Sequence, residues 1–173
     1  MVGLGTEGQE MSDKTIREVE NVAGREPLIG RFDHRLDPKR RFTVPSRWFG
    51  RMGTPSEVYV MRSLSRERCL DVFAAADFDD RLQPFRARAL TDSRLASFLR
   101  ELSEAAELVT VDTQKRIRIP DDMLAYAGLQ DDIVLYGTGL HFEVWALARR
   151  PKQVGNEQVR IDALAEVAKE LNF

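Results

Sequence analysis

The sequence predicts an α+β protein made of two copies of one structural unit, with helices inserted between the copies and a further helix near the C-terminus. Two observations lead to this fold class. Residues 36–45 and 111–120 align at a constant offset of 75, and both segments end in proline. Apolar and polar residues alternate within both segments, which is typical of a strand with one buried face. A chain of 173 residues can bury one moderate core or two small ones.

Each copy is expected to contain a strand, a turn, a second strand, a short helix and two further strands. The offset of 75 also carries residues 58–61 onto 133–136. After a slip of three, residues 70–73 align with 142–145. Both alignments join apolar, β-branched segments, so the last two strands belong to the repeated unit as well.

The repeat divides the chain into three parts. Residues 1–27, rich in Gly, Glu, Ser and Asp, are expected to be a flexible tail. Residues 28–150 form the repeated domain, with copies at about 28–76 and 105–150 and helices between them. Residues 151–173 are expected to form a C-terminal helix.

Prolines mark the beginning of a short helix in each copy. Pro45 and Pro120 suit the first turn of a helix, where no backbone N–H is required. The predicted helices cover about 46–52 and 121–128, and Gly128 is expected to end the second one.

Apolar residues at spacings of three and four predict longer helices outside the strands. One is expected from about 92 to 108, with its stripe at Leu95, Phe98, Leu99, Leu102, Ala106 and Leu108. A shorter helix is expected to start near Ala75 and to end before Pro84. The C-terminal pattern covers about 156–172, with apolar positions at Val159, Leu164, Val167, Ala168 and Leu171.

Composition excludes several classes of protein. The uncharged apolar stretches are only a few residues long and no basic-then-apolar leader opens the sequence, so a cytoplasmic protein without membrane contact is expected. A single cysteine, Cys69, excludes an internal disulfide, and with His34 and His141 it provides too few ligands for a dedicated Cys/His zinc site. Carboxylate metal sites lack support, and neither a metal nor another cofactor is expected.

A basic segment stands out in an acidic chain. The net charge is -2 overall, yet residues 31–51 carry seven Lys or Arg against two Asp, a net of +5. Such a segment suggests a localised contact with a polyanion. A solvated basic face is the plainer interpretation of the same charge.

The repeated turns concentrate this charge. Asp37 and Asp112 can accept backbone N–H bonds at the start of each turn, and the Arg four residues later can pair with the carboxylate. That pairing does not explain the other cations around the turns, which are Lys39, Arg40, Lys115 and Arg118. Cations on adjacent turns can follow DNA phosphates, and Arg can also form a forked contact with guanine.

These motifs resemble those of the MraZ family over roughly residues 28–150. The resemblance rests on the paired Asp-x-x-x-Arg boxes in this order and on the segments Gly30-Arg31-Phe32, Val44-Pro45, Ile119-Pro120, Ala127-Gly128-Leu129 and Phe142-Glu143-Val144-Trp145. It implies a duplicated AbrB-like, swapped-hairpin (double-split) β-barrel. It also implies a bacterial transcriptional regulator that binds repeated DNA boxes upstream of the division and cell-wall gene cluster as a ring-shaped homo-oligomer.

The resemblance also assigns residues. It maps the DNA-contacting turn onto Lys39 and Arg41 in the first box and Arg116 in the second, with Asp37 and Asp112 as the turn-forming acids. The family usually has Gly immediately before the first of these arginines, and often before the second, whereas this chain has a cation there. Both replacements, Arg40 and Lys115, are cationic and are therefore included among the predicted DNA-binding residues. The full set is Lys39, Arg40, Arg41, Lys115, Arg116 and Arg118.

Two other classes of function compete with this interpretation. An enzyme could use Cys69 with His34 or His141, but no nucleophile elbow, phosphate loop or paired-carboxylate pattern accompanies them, so no catalytic residue and no small-molecule substrate are expected. Glu143 is expected to form a structural salt bridge or to lie at a sheet edge rather than to act in catalysis. A DNA-independent assembly partner or antitoxin-like module could share the AbrB-type barrel.

Overall fold

The computed structural model describes residues 26–65, 67–152 and 155–173, so nearly all of the tail predicted at 1–27 lies outside the described residues. Eight strands and five α-helices are described. The first half contains β1 (Leu28–Arg35), β2 (Arg41–Thr43), α1 (Ser46–Arg51), β3 (Glu57–Arg62), β4 (Leu70–Ala74) and α2 (Ala75–Arg88). The second half contains α3 (Ser93–Ala105), β5 (Ala106–Thr110), β6 (Arg116–Arg118), α4 (Asp121–Ala127), β7 (Asp132–Gly139), β8 (Phe142–Ala146), a 3-10 turn (Leu147–Arg149) and α5 (Glu157–Glu170). This content confirms the α+β class.

The two copies exchange their first strands. The large sheet has the order β1-β7-β8-β4-β3-β5, and β2 pairs only with β6 in a separate two-stranded ribbon. The first strand of one copy therefore pairs with the third strand of the other, as β1 with β7 and β5 with β3, always antiparallel. Neither copy completes a sheet without the other.

The main core lies between the large sheet, the ribbon and the two short helices. The apolar residues that alternate along β2, β6 and the residues after them, Phe42, Val44, Ile117 and Ile119, are all at most 2% exposed. Trp48 of α1 stacks on Phe142 of β8, with ring centroids 5.3 Å apart. Each side chain of this size contributes about 1.5 to 3 kcal/mol when fully buried. The alternation seen in the sequence is thus the inner face of the fold.

A second, smaller core lies under α2 and α3. Phe78 of α2 contacts Tyr59 of β3, with centroids 4.5 Å apart, and Phe73 of β4, with centroids 5.5 Å apart. Leu102 of α3 and Met61 of β3 belong to the same buried cluster. The inserted helices therefore cover the β3 and β4 side of the sheet.

Two helix boundaries differ from the sequence-based expectation. The prediction that the first inserted helix ends before Pro84 is wrong, because α2 continues to Arg88. Proline removes one helical hydrogen bond, and the carbonyl it leaves free, that of Asp80, belongs to an exposed residue that water can reach. The prediction of a helix to residue 108 is also wrong. Ala106 and Leu108 lie in β5, where pairing with β3 overrides the helical spacing.

The short helices follow the predicted positions, with one difference at their first residue. Pro45 and Pro120 directly precede the helices rather than occupy their first turns. Gly128 ends α4 with φ of 64°, a left-handed conformation that glycine adopts without a steric cost.

The C-terminal helix packs no buried side chain. All residues of α5 are exposed or half-buried. Leu164 within the helix is 70% exposed, and Leu171, the residue after it, is 72% exposed. None of the helices among the described residues combines the length and apolar character needed to span a bilayer.

Candidate nucleic-acid interface

Asp37 builds the turn between β1 and β2. Its Oδ1 accepts hydrogen bonds from the backbone N–H groups of Lys39 and Arg41, each at 2.9 Å. Its Oδ2 accepts a bond from Arg41 Nε at 2.8 Å and lies 2.7 Å from Arg41 Nη2. The Arg40 N–H closes the turn by donating to the Asp37 carbonyl at 2.8 Å. One carboxylate thus fixes the backbone of the turn and the guanidinium that follows it.

Asp112 builds the equivalent turn between β5 and β6. Its Oδ1 accepts bonds from the backbone N–H groups of Gln114 and Arg116, each at 2.9 Å, and its Oδ2 accepts a bond from Arg116 Nε at 2.8 Å. The Lys115 N–H donates to the Asp112 carbonyl at 2.9 Å. The two copies therefore present one and the same turn, and each turn carries a positioned guanidinium.

The ribbon of β2 and β6 joins the two turns. Arg41 pairs with Arg118 and Thr43 with Arg116, and these four side chains lie on the face of the ribbon opposite the core. Arg41 also reaches the other copy, because its Nη1 lies 3.8 Å from Asp112 Oδ2. The ribbon brings the two basic turns, 75 residues apart in the sequence, onto one surface.

Arg40 and Lys115 occupy the left-handed backbone positions of the turns, with φ of 59° and 60°. Their carbonyls accept bonds from the other copy, Arg40 from the Ile119 N–H at 3.0 Å and Lys115 from the Val44 N–H at 2.9 Å. The Lys115 ammonium lies 5.5 Å from the ring centroid of Phe49, within the range of a cation–π contact. A residue with a side chain thus occupies the position where glycine is the easiest choice, without loss of the turn.

Acidic residues outside the turns hold two of the predicted cations. Arg40 Nη1 lies 3.2 Å from Asp131 Oδ1, and Arg118 Nη2 lies 2.9 Å from Asp121 Oδ1. Among the residues that the structure describes, none forms an ion pair with Lys39. Asp131 was not predicted as part of the site, because it lies 91 residues from its partner and no local pattern announces the contact.

Hydrogen bonds stabilise the charged form of the two turn carboxylates, Asp37 and Asp112. The hydrogen bond from the Arg41 side chain holds the pKa of Asp37 below its usual value, and the backbone N–H of Arg116 does the same for Asp112. Both carboxylates are therefore charged at neutral pH. The Arg41 and Arg116 side chains are 25% and 29% exposed, so each remains partly in contact with solvent.

Cys69 and His34, considered above as a catalytic nucleophile and base, are in surroundings that do not favour catalysis. Cys69 is fully buried beside Val134 and Trp145. Burial raises the pKa of its thiol to about 12, so the thiolate needed for nucleophilic chemistry is scarce at neutral pH. Burial also lowers the pKa of His34. Packing explains Cys69 better than catalysis does.

The prediction that Glu143 forms a salt bridge or lies at a sheet edge is wrong, because β8 is an inner strand of the large sheet and no ion pair among the described residues includes Glu143. It accepts a hydrogen bond from Trp145 Nε1 at 2.7 Å.

Comparison with known proteins identifies relatives over most of the chain. The model of the MraZ protein family, described as antitoxin-like, matches residues 102–165. The transcriptional regulator MraZ of Symbiobacterium thermophilum is 31% identical over 145 residues, which cover 84% of this chain and 100% of the relative. The transcriptional regulators MraZ of Acetivibrio thermocellus and Tropheryma whipplei are each 28% identical over 139 residues, covering 80% of this chain and 94% of each relative.

Fold and site together define an α+β protein in which two copies of one unit exchange strands and present paired basic turns. The similar proteins identify the family within this structural class. The chain belongs to the MraZ family, because its match to the Symbiobacterium protein extends over the whole of that relative. The resemblance recognised from the sequence motifs is thereby confirmed.

Proposed function

We propose that this protein is a sequence-specific DNA-binding transcriptional regulator whose partner is double-stranded DNA in the cytoplasm, on the nucleoid. The proposal is supported by the names of its relatives and, above all, by one observation. The β2–β6 ribbon joins two equivalent turns, and Arg41, Arg116 and Arg118 lie on its outer face. Fixed guanidiniums on such a face suit forked contacts with base edges, while the more exposed cations suit phosphates.

The six predicted residues then have different tasks. Arg41 and Arg116 are oriented by their Asp partners, so they are assigned to bases or to close phosphates. Lys39, Arg40, Lys115 and Arg118 are assigned mainly to phosphates. Arg40 and Arg118 exchange a surface carboxylate for a phosphate on binding, and such exposed pairs contribute only about 0 to 1 kcal/mol.

We further propose the arrangement that the family resemblance implies. The strand exchange between the copies supports an AbrB-like, swapped-hairpin barrel. A ring-shaped homo-oligomer would bind repeated boxes upstream of the division and cell-wall gene cluster. Each protomer offers about three or four basic contacts per turn, which is weak at physiological salt, so several linked protomers are needed for firm binding.

An electrophoretic shift tests the proposal. The probe is DNA from the region upstream of the protein's own operon, and competitor DNA of unrelated sequence measures specificity. Arg41→Ala is expected to cost about 1 to 3 kcal/mol in binding and to relax sequence preference, because it removes a candidate base contact.

Arg88→Ala is the matched control, since Arg88 is an exposed arginine at the end of α2, outside the turns. Circular dichroism verifies that both variants are folded. Equal affinity of the wild type, Arg41→Ala and Arg116→Ala would reject the role of the basic turns. Absence of any shift, together with capture of a protein partner through the same turns, would favour the DNA-independent, antitoxin-like alternative.

A further inference from the structure

A polar cluster lies at the centre of the large sheet, where the two copies meet. The central strands β4 and β8 pair over only three positions, and Asp71 pairs with Glu143 at the middle one. The alignment of residues 70–73 with 142–145 makes these two acids equivalent residues of the two copies. The same pair therefore lies at the point of symmetry between the copies.

Cys69 completes the cluster. It lies two residues before Asp71, so both side chains are on one face of the strand. The Cys69 sulfur, one oxygen of Asp71 and one oxygen of Glu143 all lie within 4.8 Å of one another. Cys69 is 0% exposed and Asp71 is 8% exposed, whereas Glu143 is half-buried, so water reaches the cluster only from the side of Glu143.

One oxygen of the Asp71 carboxylate lacks a hydrogen-bond donor among the described residues. This oxygen, Oδ1, is buried. The nearest basic group is His141 Nε2 at 3.6 Å, which is longer than a hydrogen bond. A buried carboxylate oxygen without a donor is costly, and the Asp71 carboxylate lies beside a second carboxylate and a thiol. A bound cation would remove that cost.

We propose that Cys69, Asp71 and Glu143 bind a zinc ion at the junction of the two copies. The sulfur determines the choice of metal, because magnesium and calcium take oxygen ligands whereas zinc takes sulfur and carboxylate together. Binding exchanges the thiol proton for the metal, so the proton leaves to solvent and a thiolate–zinc bond forms. Three protein ligands leave one position of a tetrahedral ion for water.

Neighbouring side chains already orient the ligands. Trp145 Nε1 donates to Glu143 Oε2 at 2.7 Å and fixes that carboxylate. His141 stacks on Phe73, with centroids 4.4 Å apart, and so remains beside Asp71. Such outer contacts position metal ligands in known sites. The ion would connect β4 of one copy to β8 of the other where their pairing is shortest, so its expected effect is to strengthen the junction.

Cobalt(II) is the most specific probe, because a thiolate bound to it gives a sulfur-to-metal absorption band in the near ultraviolet. Cys69 is the single cysteine of the chain, so in the untagged full-length protein this band can arise only from Cys69. The experiment titrates the protein with cobalt in a phosphine reductant, and then adds zinc. We expect one cobalt per chain, the sulfur band, and its loss when zinc displaces the cobalt.

Variants locate the site. Cys69→Ser is expected to abolish the sulfur band, and Asp71→Asn to weaken zinc binding at least tenfold in equilibrium dialysis. Asp80→Asn, which removes an exposed acid from α2, is the control and keeps wild-type binding. Zinc at 100 times its Kd should raise the wild-type Tm by about 5 °C or more and leave that of Asp71→Asn nearly unchanged.

Two results would overturn the proposal. One is cobalt binding to the folded wild type without a sulfur band. The other is zinc binding of equal strength and stoichiometry in the wild type and in the folded Asp71→Asn variant, which would assign the metal to scattered surface acids. Because the cluster is separate from the basic turns, DNA binding by a metal-free protein would leave the proposed function intact.

Discussion

Arg40 and Lys115 have the same left-handed backbone conformation at equivalent positions of the two turns. A side chain in this conformation costs roughly 1 kcal/mol more than glycine does. The turns tolerate the cost because Asp37 and Asp112 fix the backbone on both sides through several hydrogen bonds. The protein thus accepts local strain at two positions that add a cation to the proposed DNA surface.

Replacing Arg40 with glycine should separate stability from binding. Arg40→Gly is expected to raise the free energy of unfolding by about 1 kcal/mol, because it relieves the left-handed strain. The same change should weaken DNA binding and reduce the slope of log affinity against log salt by up to about one unit. Urea unfolding and salt-dependent binding isotherms measure the two effects.

Lys39→Gly is the matched control for this prediction. Lys39 neighbours Arg40 but does not have a left-handed backbone, so glycine there should lower both stability and affinity. A loss of stability in Arg40→Gly equal to that in Lys39→Gly would contradict the strain argument.

The turn carboxylates should make stability depend on acid pH. The pKa of Asp112 is lowered in the folded state, so its contribution is present above the unfolded value of about 4 and is lost as pH falls through the folded value. Asp112→Asn is therefore expected to have a lower urea midpoint than the wild type at pH 7, and this difference should shrink at about pH 2.5. A difference of the same size at both pH values would exclude the charged contact as the cause.

At the scale of elements, exchange of strands organises the fold. The first strand of each copy lies at an edge of the large sheet and pairs with the other copy, while β4 and β8 meet in the middle. The two short helices, α1 and α4, contribute Trp48 and Met123 to the same main core. The first two strands of each copy pair with strands of the other copy, so the domain is expected to unfold as one unit.

The proline in α2 is a candidate site for stabilisation. Pro84 lies inside the helix and is exposed, so alanine there would restore a helical hydrogen bond without disturbing the core. Pro84→Ala is expected to raise the free energy of unfolding by about 1 to 3 kcal/mol. Thermal and urea unfolding measure the change, with Gln83→Ala at the neighbouring exposed position as control. A stability below that of the wild type would show that the helix needs its proline.

Local patterns predicted the elements better than their ends. The alternation in 41–44 and 116–119 identifies the ribbon and its buried face, since the period of two is preserved in the structure. The spacing of Leu95, Leu99 and Leu102 identifies α3. That spacing continues by chance through Leu108, and only the pairing of β5 with β3, between residues about 50 positions apart, decides where the helix ends.

The candidate site was predictable where its contacts are local. An Asp followed four residues later by an Arg determines each turn, because all the bonds lie within five residues. The ion pair of Arg40 with Asp131 and the junction of Asp71 with Glu143 join distant residues. These contacts depend on strand register, which no single segment encodes.

On the scale of the whole molecule, the basic turns and the exposed apolar residues of the C-terminal helix lie on different elements. The basic turns occupy the ribbon, whereas α5 and the residue that follows it expose Leu164, Val167 and Leu171 on one side. Apolar surface of this kind commonly marks contact between chains. It suits the proposed homo-oligomer, in which several basic ribbons would act together.

Specific binding should therefore depend on more than one DNA box. Once one protomer is bound, a linked neighbour meets the next box at high effective concentration, and avidity can rise by roughly 10² to 10⁴. Tandem boxes about one helical turn apart should bind far better than a single box. Inserting half a turn should remove the gain, because the second box then faces away.

The measurement is affinity for the three DNA molecules at one salt concentration, with the stoichiometry determined by light scattering. A stable monomer that binds a single box as tightly as a tandem one would reject the multivalent arrangement while leaving DNA binding itself in place.

Because the two halves exchange their first strands, they should stay together even if the chain is cut between them. The two halves are joined covalently through α2, α3 and the short connection between them at residues 89–92. They are also joined by four antiparallel strand pairings, those of β1 with β7, β2 with β6, β3 with β5 and β4 with β8. A protease that cut this connection would produce two fragments that stay interlocked and separate only in denaturant. The peptide bonds of the connection thus keep the two halves close during folding, while the strand pairings and the shared core hold them together afterwards.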